Sequence, residues 1–234
     1  MILSNDNSAI FISVPKTGST TARTLLAPYS QDLSARYGIH CNRSAFHPVW
    51  MSMHPENPMT GDEAWAIPAY AFFRDPVERY ISAATFARRY PTALRNLFPE
   101  YFSEGAPYDL SVYNLPQVMQ TADFLRLPNA IRQKIIDPSD PETLFYRIMG
   151  RVEHSPAFQR QSDWFRWKNT IPLNYANFEA EMRRLIGIFG GDTTMTIPVM
   201  NEAPIFIPTT PITTKIIDMI KDWYWQDYEV LDML

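Results

Sequence analysis

Cysteine is almost missing: Cys41 stands alone in 234 residues. No intrachain disulfide can form, and no set of thiolates can hold a metal. That usage suits a reducing compartment, and Cys41 itself reads as an inert thiol. Glycine is scarce beside proline, 8 against 20. The prolines are scattered, which predicts many short elements with rigid connections rather than a Pro-rich linker. Long apolar runs are missing too. No stretch reaches the roughly eighteen consecutive apolar residues of a bilayer-crossing helix. Met1 to Ser8 has neither the basic nor the apolar region of a secretory signal. The expectation is a soluble, cytoplasmic protein with no membrane span. A large charge of either sign is also absent. The net charge of −4 gives no bulk attraction to nucleic acid, although a local basic pocket is compatible with it.

What is present is enough apolar material for a sizeable core. Apolar residues make up 46% of the chain and charged ones 20%, without long charge runs, which excludes wholesale disorder. The length suits a single domain over 1–234. No internal repeat is visible.

One stretch, Ile10 to Leu26, reads I-F-I-S-V-P-K-T-G-S-T-T-A-R-T-L-L. Ile10, Phe11, Ile12 and Val14 predict a buried strand that Pro15 ends. Lys16 to Thr20 make a small, polar, basic turn. Thr21 to Leu26 continue as a helix that Pro28 stops. A strand feeding a tight turn and a helix N-terminus is a means of holding an anionic phosphate. The turn is not a Walker A loop, because its lysine precedes its glycine. The competing reading is a plain surface turn.

A second unit repeats the arrangement. Ala69 to Phe73, A-Y-A-F-F, predicts a strand, and Arg74, Asp75 and Pro76 follow at once. Asp75 suits an N-cap, Pro76 the first helical position, and Glu78 the acidic place of a capping box. Two such units can set their turns side by side at one edge of a parallel sheet, where open α/β folds bind ligands. Arg79 and Ser82 share a helix face. Arg74 and Ser82 can reach one phosphate, through a forked charge-assisted contact and a hydroxyl donor. Otherwise Arg74 and Arg79 pair with Asp75 and Glu78 on the surface.

Elsewhere the pattern predicts a short helical piece over Asp32–Tyr37 and an irregular segment over Gly38–Pro68 that holds His40, His47 and His54. Residues 91–141 read as helices with proline breaks, clearest over Asp109–Leu127, and Glu142–Gly150 as another. A strand is expected over Thr170–Tyr175, a helix from Asn177 ending near Gly190, and a further strand over Met195–Met200. Thr213–Leu234 reads as one amphipathic helix. Trp164, Trp167, Trp223 and Trp225 suit either a core or a sugar-stacking role. Arg88 with Arg89, and Arg183 with Arg184, read as solvated helix faces.

Pro15-Lys16-Thr17-Gly18-Ser19-Thr20 and Arg74-Asp75-Pro76-Val77-Glu78-Arg79-Tyr80-Ile81-Ser82 together resemble the PAPS-dependent sulfotransferases. The likeness is to the carbohydrate branch, with P-K-T-[AG]-[GS]-T and R-D-P-x-x-R-x-x-S. It covers residues 1–90 well and is thin beyond them. There it touches Phe158–Phe165, similar to a glutamine-containing stretch near the acceptor site, Tyr175–Glu179, similar to an F-E-N-L-type segment, and Tyr224–Tyr228, similar to a Y-x-x-D-Y pattern.

The resemblance implies a P-loop, nucleotide-kinase-like three-layer α/β fold around a central parallel sheet, with helical additions. It implies PAPS as sulfonate donor, PAP as product, no metal, and a hydroxyl acceptor on a saccharide. Lys16, Thr17, Gly18, Ser19, Thr20 and Thr21 would bind the 5′-phosphosulfate. Lys16 would also stabilise charge on the bridging oxygen as the S–O bond breaks. Arg74 and Ser82 would bind the 3′-phosphate. His47 would be the base that takes the acceptor proton, with His40, His54, Glu56 and Glu63 as rivals. His154 and Gln161 would lie on the acceptor side. One departure stands out: relatives place basic residues late in the chain to grip the 3′-phosphate, and Asn201–Ile212 contains none. Two other classes compete, a nucleotide-dependent phosphotransferase on a similar fold and a non-catalytic module that binds PAP or another nucleotide.

Overall fold

In the computed structural model, residues 1–34, 40, 42–89, 156–165, 168–198 and 213–234 are described. The chain divides into two compact units. The first comprises Met1–Pro76, Arg160–Ala203 and Tyr224–Leu234, and the second Val77–Gln159 and Pro204–Trp223.

The first unit is α/β. Its strands are β1 (Ile2–Ser4), β2 (Ile10–Phe11), β3 (Ser30–Asp32), β4 (Ala69–Phe73) and β5 (Thr170–Asn174). They form one sheet in the order β3-β1-β2-β4-β5. β2, β4 and β5 run parallel, with Ile10 opposite Ala69 and Phe73 opposite Asn174. β1 runs antiparallel to both β2 and β3. The sheet is therefore mixed, and the expected parallel sheet describes only one half of it. The cause is local. Five residues join β1 to β2, and so short a link allows only antiparallel pairing. Asp6 secures that link by accepting from the hydroxyls of Ser4 and Ser8, and Asn7 takes a φ of 60° at its tip.

Every residue of β4 is buried, as a strand covered on both faces requires. Alternate residues serve opposite faces. Ile10, Ile12, Ala69 and Ala71 join a cluster with Phe46, Val49 and Trp50 of α2 (Phe46–Met53), Ala64 of α3 (Gly61–Ala66), and Trp164. Phe11, Tyr70, Phe72 and Leu173 join Ala22, Leu25 and Leu26 of α1 (Ser19–Leu26) and Met182, Leu185 and Ile186 of the helix Phe178–Ile188. Each fully buried apolar side chain of this size stabilises the fold by about 1.5–3 kcal/mol, so removing Phe72 would expose a hole between β4 and that helix.

Several expectations need correction. The irregular segment Gly38–Pro68 contains α2 and α3. Pro48 does not break α2, because it sits in the first turn, where a backbone N–H has no intrahelical acceptor. α3 opens with a capping box between Thr60 and Glu63. Asp32 belongs to β3 rather than to a helix. Of the strand expected over Met195–Met200, the described residues 195–198 form none.

α4 (Pro76–Arg89) starts at the expected proline. α5 (Ser162–Phe165) precedes β5, and α6 (Phe178–Ile188) follows it. α6 ends near Gly190, as expected. That residue takes a φ of 77°, and the N–H groups of Gly190 and Gly191 donate to the carbonyls of Gly187 and Ile186, a Schellman cap. The expected last helix is two, α7 (Thr214–Trp223) and α8 (Trp225–Leu231), divided at Tyr224. Trp223 and Trp225 are exposed, whereas Trp164 is core. Arg184 pairs with Glu181 on the α6 surface.

In the second unit Arg79 is buried, not solvated. Its guanidinium donates to the carbonyls of Gln159 (2.8 Å) and Pro156 (3.3 Å). Tyr80 meets Phe158 edge to face. α7 buries Ile216 and Ile220. The helices expected over 91–150, along with Trp167, Cys41 and Asn201–Ile212, lie outside the described residues. No described helix is long and apolar enough to cross a membrane.

Candidate anion site at the β2 and β4 edge

β2 and β4 end at the same edge of the sheet because they run parallel. Past Phe11 the chain stays beside β4, where the Ile12 N–H donates to the Tyr70 carbonyl at 2.8 Å. It then turns. Lys16 has a φ of 67° and Gly18 a φ of 76°, on either side of Thr17. For lysine the left-handed region costs on the order of 1–3 kcal/mol. Left-handed residues set among right-handed ones are the backbone conformation of anion-binding nests. Thr17 is buried, and its hydroxyl donates to the Val14 carbonyl at 2.9 Å, which ties the turn to the strand end.

Gly18 is the N-cap of α1 and supplies no side-chain cap. A Cβ there would stand 2.5 Å from Cε2 of Phe178 and 3.1 Å from Cε2 of Tyr175. Glycine is therefore required twice, for its φ and for its smallness. Ser19, Thr20 and Thr21 form the first turn of α1, with Ser19 and Thr21 buried and Thr20 exposed. That turn carries no acidic residue, so no side-chain charge there offsets the positive end of the helix dipole.

Arg74 follows β4 directly and meets this turn. Its Nη1 donates to the Lys16 carbonyl at 3.4 Å, and its guanidinium carbon lies 4.7 Å from the centroid of the Tyr175 ring. Its backbone is held as well. The Arg74 N–H donates to Oε1 of Gln161 (3.0 Å), and Nε2 of Gln161 donates back to the Arg74 carbonyl (2.7 Å). Gln161 is in turn fixed by Asp227, whose carboxylate accepts from the N–H groups of Gln161 (3.0 Å) and Ser162 (2.8 Å). Gln161 and Asp227 are both fully buried. The next residue, Asp75, accepts from the Tyr228 hydroxyl at 3.4 Å.

The three histidines are dispersed. His40 makes a 2.6 Å hydrogen bond through Nδ1 to the carbonyl of Ser13, three residues before Lys16. His47, on α2, uses Nε2 to bond the Met59 carbonyl at 2.8 Å. That carbonyl only accepts, so Nε2 carries the proton and Nδ1 is the basic nitrogen. His54 stacks on Trp50, 4.2 Å between ring centroids, with Glu56 at 3.9 Å. Glu63 is committed to the Thr60 cap. Ser82 lies on α4, within the second unit, and His154 lies outside the described residues.

Lys16, the turn to Thr21, Arg74 and Gln161 thus come together. The amide of Gln161 is engaged at both ends with the Arg74 backbone. Tyr175 and Asp227 were not among the expected site residues. Each lies in a segment whose only functional signal in the sequence is a thin family likeness, Tyr175–Glu179 and Tyr224–Tyr228. No family model matches the chain, and no curated protein or solved structure matches it.

Proposed function

We propose that this chain is a sulfotransferase that moves a sulfonate group from PAPS to a hydroxyl, with a saccharide as acceptor, on a P-loop-like α/β scaffold. One observation carries the proposal. The two motifs that suggest a 5′-phosphosulfate turn and a 3′-phosphate arginine contribute Lys16 and Arg74 to the same sheet edge, 3.4 Å apart at the Lys16 carbonyl. The left-handed backbone at Lys16 and Gly18 and the acid-free start of α1 suit an anion.

In this proposal the turn from Lys16 to Thr21 binds the 5′-phosphosulfate, and Arg74 binds the 3′-phosphate. Ser82 enters through its place in the second motif. A base takes the proton as the acceptor oxygen bonds to sulfur, and the bond between sulfur and the bridging oxygen breaks. Lys16 stabilises the negative charge that gathers on that oxygen, which leaves as part of PAP. His47 is the base suggested by the family resemblance. The Ser13 contact favours His40 instead, because it ties that imidazole to the segment that leads from β2 into the Lys16 turn.

Calorimetry with PAP and with ATP plus magnesium, followed by transfer from labelled PAPS to a panel of sugars, tests the proposal. PAP should bind, and Lys16→Ala should abolish transfer. Absence of PAP binding at high micromolar concentration overturns it. Magnesium-dependent ATP binding without PAP binding favours a phosphotransferase, and PAP binding with no turnover on any acceptor favours a binding module. If turnover occurs, loss in His40→Asn but not in His47→Asn assigns the base to His40, and the reverse assigns it to His47.

A further inference from the structure

We infer that Gln161 and Asp227 are positioning residues that aim Arg74 at the anion site, an inference that rests on the nucleotide reading above. The β4–β5 ladder ends with Phe73 opposite Asn174. Arg74 is the next residue, beyond the last rung. Gln161 supplies the missing rung from its side chain, with one hydrogen bond accepted from the Arg74 N–H and one donated to the Arg74 carbonyl. Only one amide orientation satisfies both bonds, oxygen toward N–H and nitrogen toward carbonyl. Two opposed bonds to one residue hold its backbone, and so fix the direction in which its Cα–Cβ bond leaves the strand.

Gln161 must itself be fixed for this to work. Its backbone N–H and that of Ser162 both donate to the buried carboxylate of Asp227. The neighbours of Asp227 brace the same region. Gln226 accepts from Arg160 at 3.0 Å, and the Tyr228 hydroxyl donates to Asp75. Three consecutive residues at the start of α8 therefore hold the residues beside Gln161 and beside Arg74. Gln161 engages the Arg74 main chain with both ends of its amide, so its effect on a bound anion passes through Arg74.

A double-mutant cycle separates this role from direct binding or general support. PAP affinity is measured by calorimetry for wild type, Arg74→Ala, Gln161→Met, Asp227→Asn, and each of the last two combined with Arg74→Ala. Thermal melts identify the folded variants. Gln161→Met keeps the length of the side chain and removes both bonds, and Asp227→Asn keeps the shape and loses one acceptor. Each single change should weaken PAP binding about tenfold, the worth of one or two hydrogen bonds. Added to Arg74→Ala, neither should weaken it further.

Two results overturn the inference while leaving the nucleotide reading intact. One is unchanged affinity in the folded single variants. The other is an equal loss with and without Arg74, which would make Gln161 an independent contributor. If wild type fails to bind PAP, the nucleotide reading itself falls and takes this inference with it. Asp227→Asn carries the test alone if Gln161→Met does not fold.

Discussion

The Arg74 guanidinium lies 4.7 Å from the centre of the Tyr175 ring. The same ring stands 3.1 Å from the place where a Cβ on Gly18 would be. Tyr175 thus touches both halves of the site, the arginine and the turn. A cation over an aromatic face is worth about 0.5–2 kcal/mol. On the proposed nucleotide function, Tyr175→Leu should therefore weaken PAP binding about 2- to 30-fold, whereas Tyr175→Phe should retain most of it. Calorimetry on both variants checks this. Equal affinity in Tyr175→Leu and wild type would show that the stacking does not matter to the ligand.

Gly18→Ala should destabilise the fold for two separable reasons. The left-handed backbone costs a residue with a Cβ roughly 1–2 kcal/mol. The new methyl also meets Phe178, and overpacking of this kind costs about 1–3 kcal/mol. Denaturant unfolding should show a loss within the sum of these ranges. Adding Phe178→Leu should recover the packing share and leave the backbone share. Full recovery in the double variant would contradict the backbone term.

Much of this site was legible because its frame is local. An apolar run, a polar turn and a helix pattern within a short window announce both strand ends, and the cap at Gly190 is just as local. β1 escaped notice because three residues show no periodicity. It brought the antiparallel half of the sheet with it. α2 escaped because prolines in Gly38–Pro68 look like breakers until one knows that Pro48 falls in a first turn. The brace on Arg74 was illegible for another reason. Gln161 lies 87 residues from Arg74, and Asp227 lies 66 residues from Gln161. A buried polar residue in one sequence does not name a partner at such a distance.

β3 is joined to α1 by an ion pair whose pH dependence has a definite sign. Arg23 Nη2 lies 2.5 Å from the Asp32 carboxylate. Partial burial pushes the Asp32 pKa up. Hydrogen bonds from the Ser34 hydroxyl and N–H, with the Arg23 charge, outweigh that and hold it below the ordinary 3.8. A carboxylate with a depressed folded pKa contributes stability that is present above its unfolded value and lost as pH falls through the folded one. Wild type should therefore lose stability faster than Asp32→Asn as pH drops below about 3.8, the two running parallel at neutral pH. Parallel curves below that point as well would remove Asp32 from the acid response.

Arg43 makes the opposite case, a cation that the fold holds at a cost. It is fully buried, with its guanidinium over the rings of Phe46 (5.1 Å) and Trp65 (4.9 Å). One nitrogen donates to the carbonyls of Ala64 and Ile67, which joins the end of α3 to the approach to β4. Among the described residues no carboxylate pairs with it, and burial lowers its pKa from the ordinary guanidinium range to about 10. Between those values the unfolded chain binds more protons than the folded one, so this group makes stability rise with pH across the window. Below about 10 the burden of the buried charge is carried in full. Arg43→Met removes that burden but strips two carbonyls of their donor, at about 1–3 kcal/mol for each buried group left unsatisfied. At neutral pH the donor loss should dominate, and Arg43→Met should be the less stable protein. Wild type should then gain on it as pH rises past 10, measured by denaturant unfolding at matched ionic strength. A constant gap would mean that the buried charge does not burden the fold.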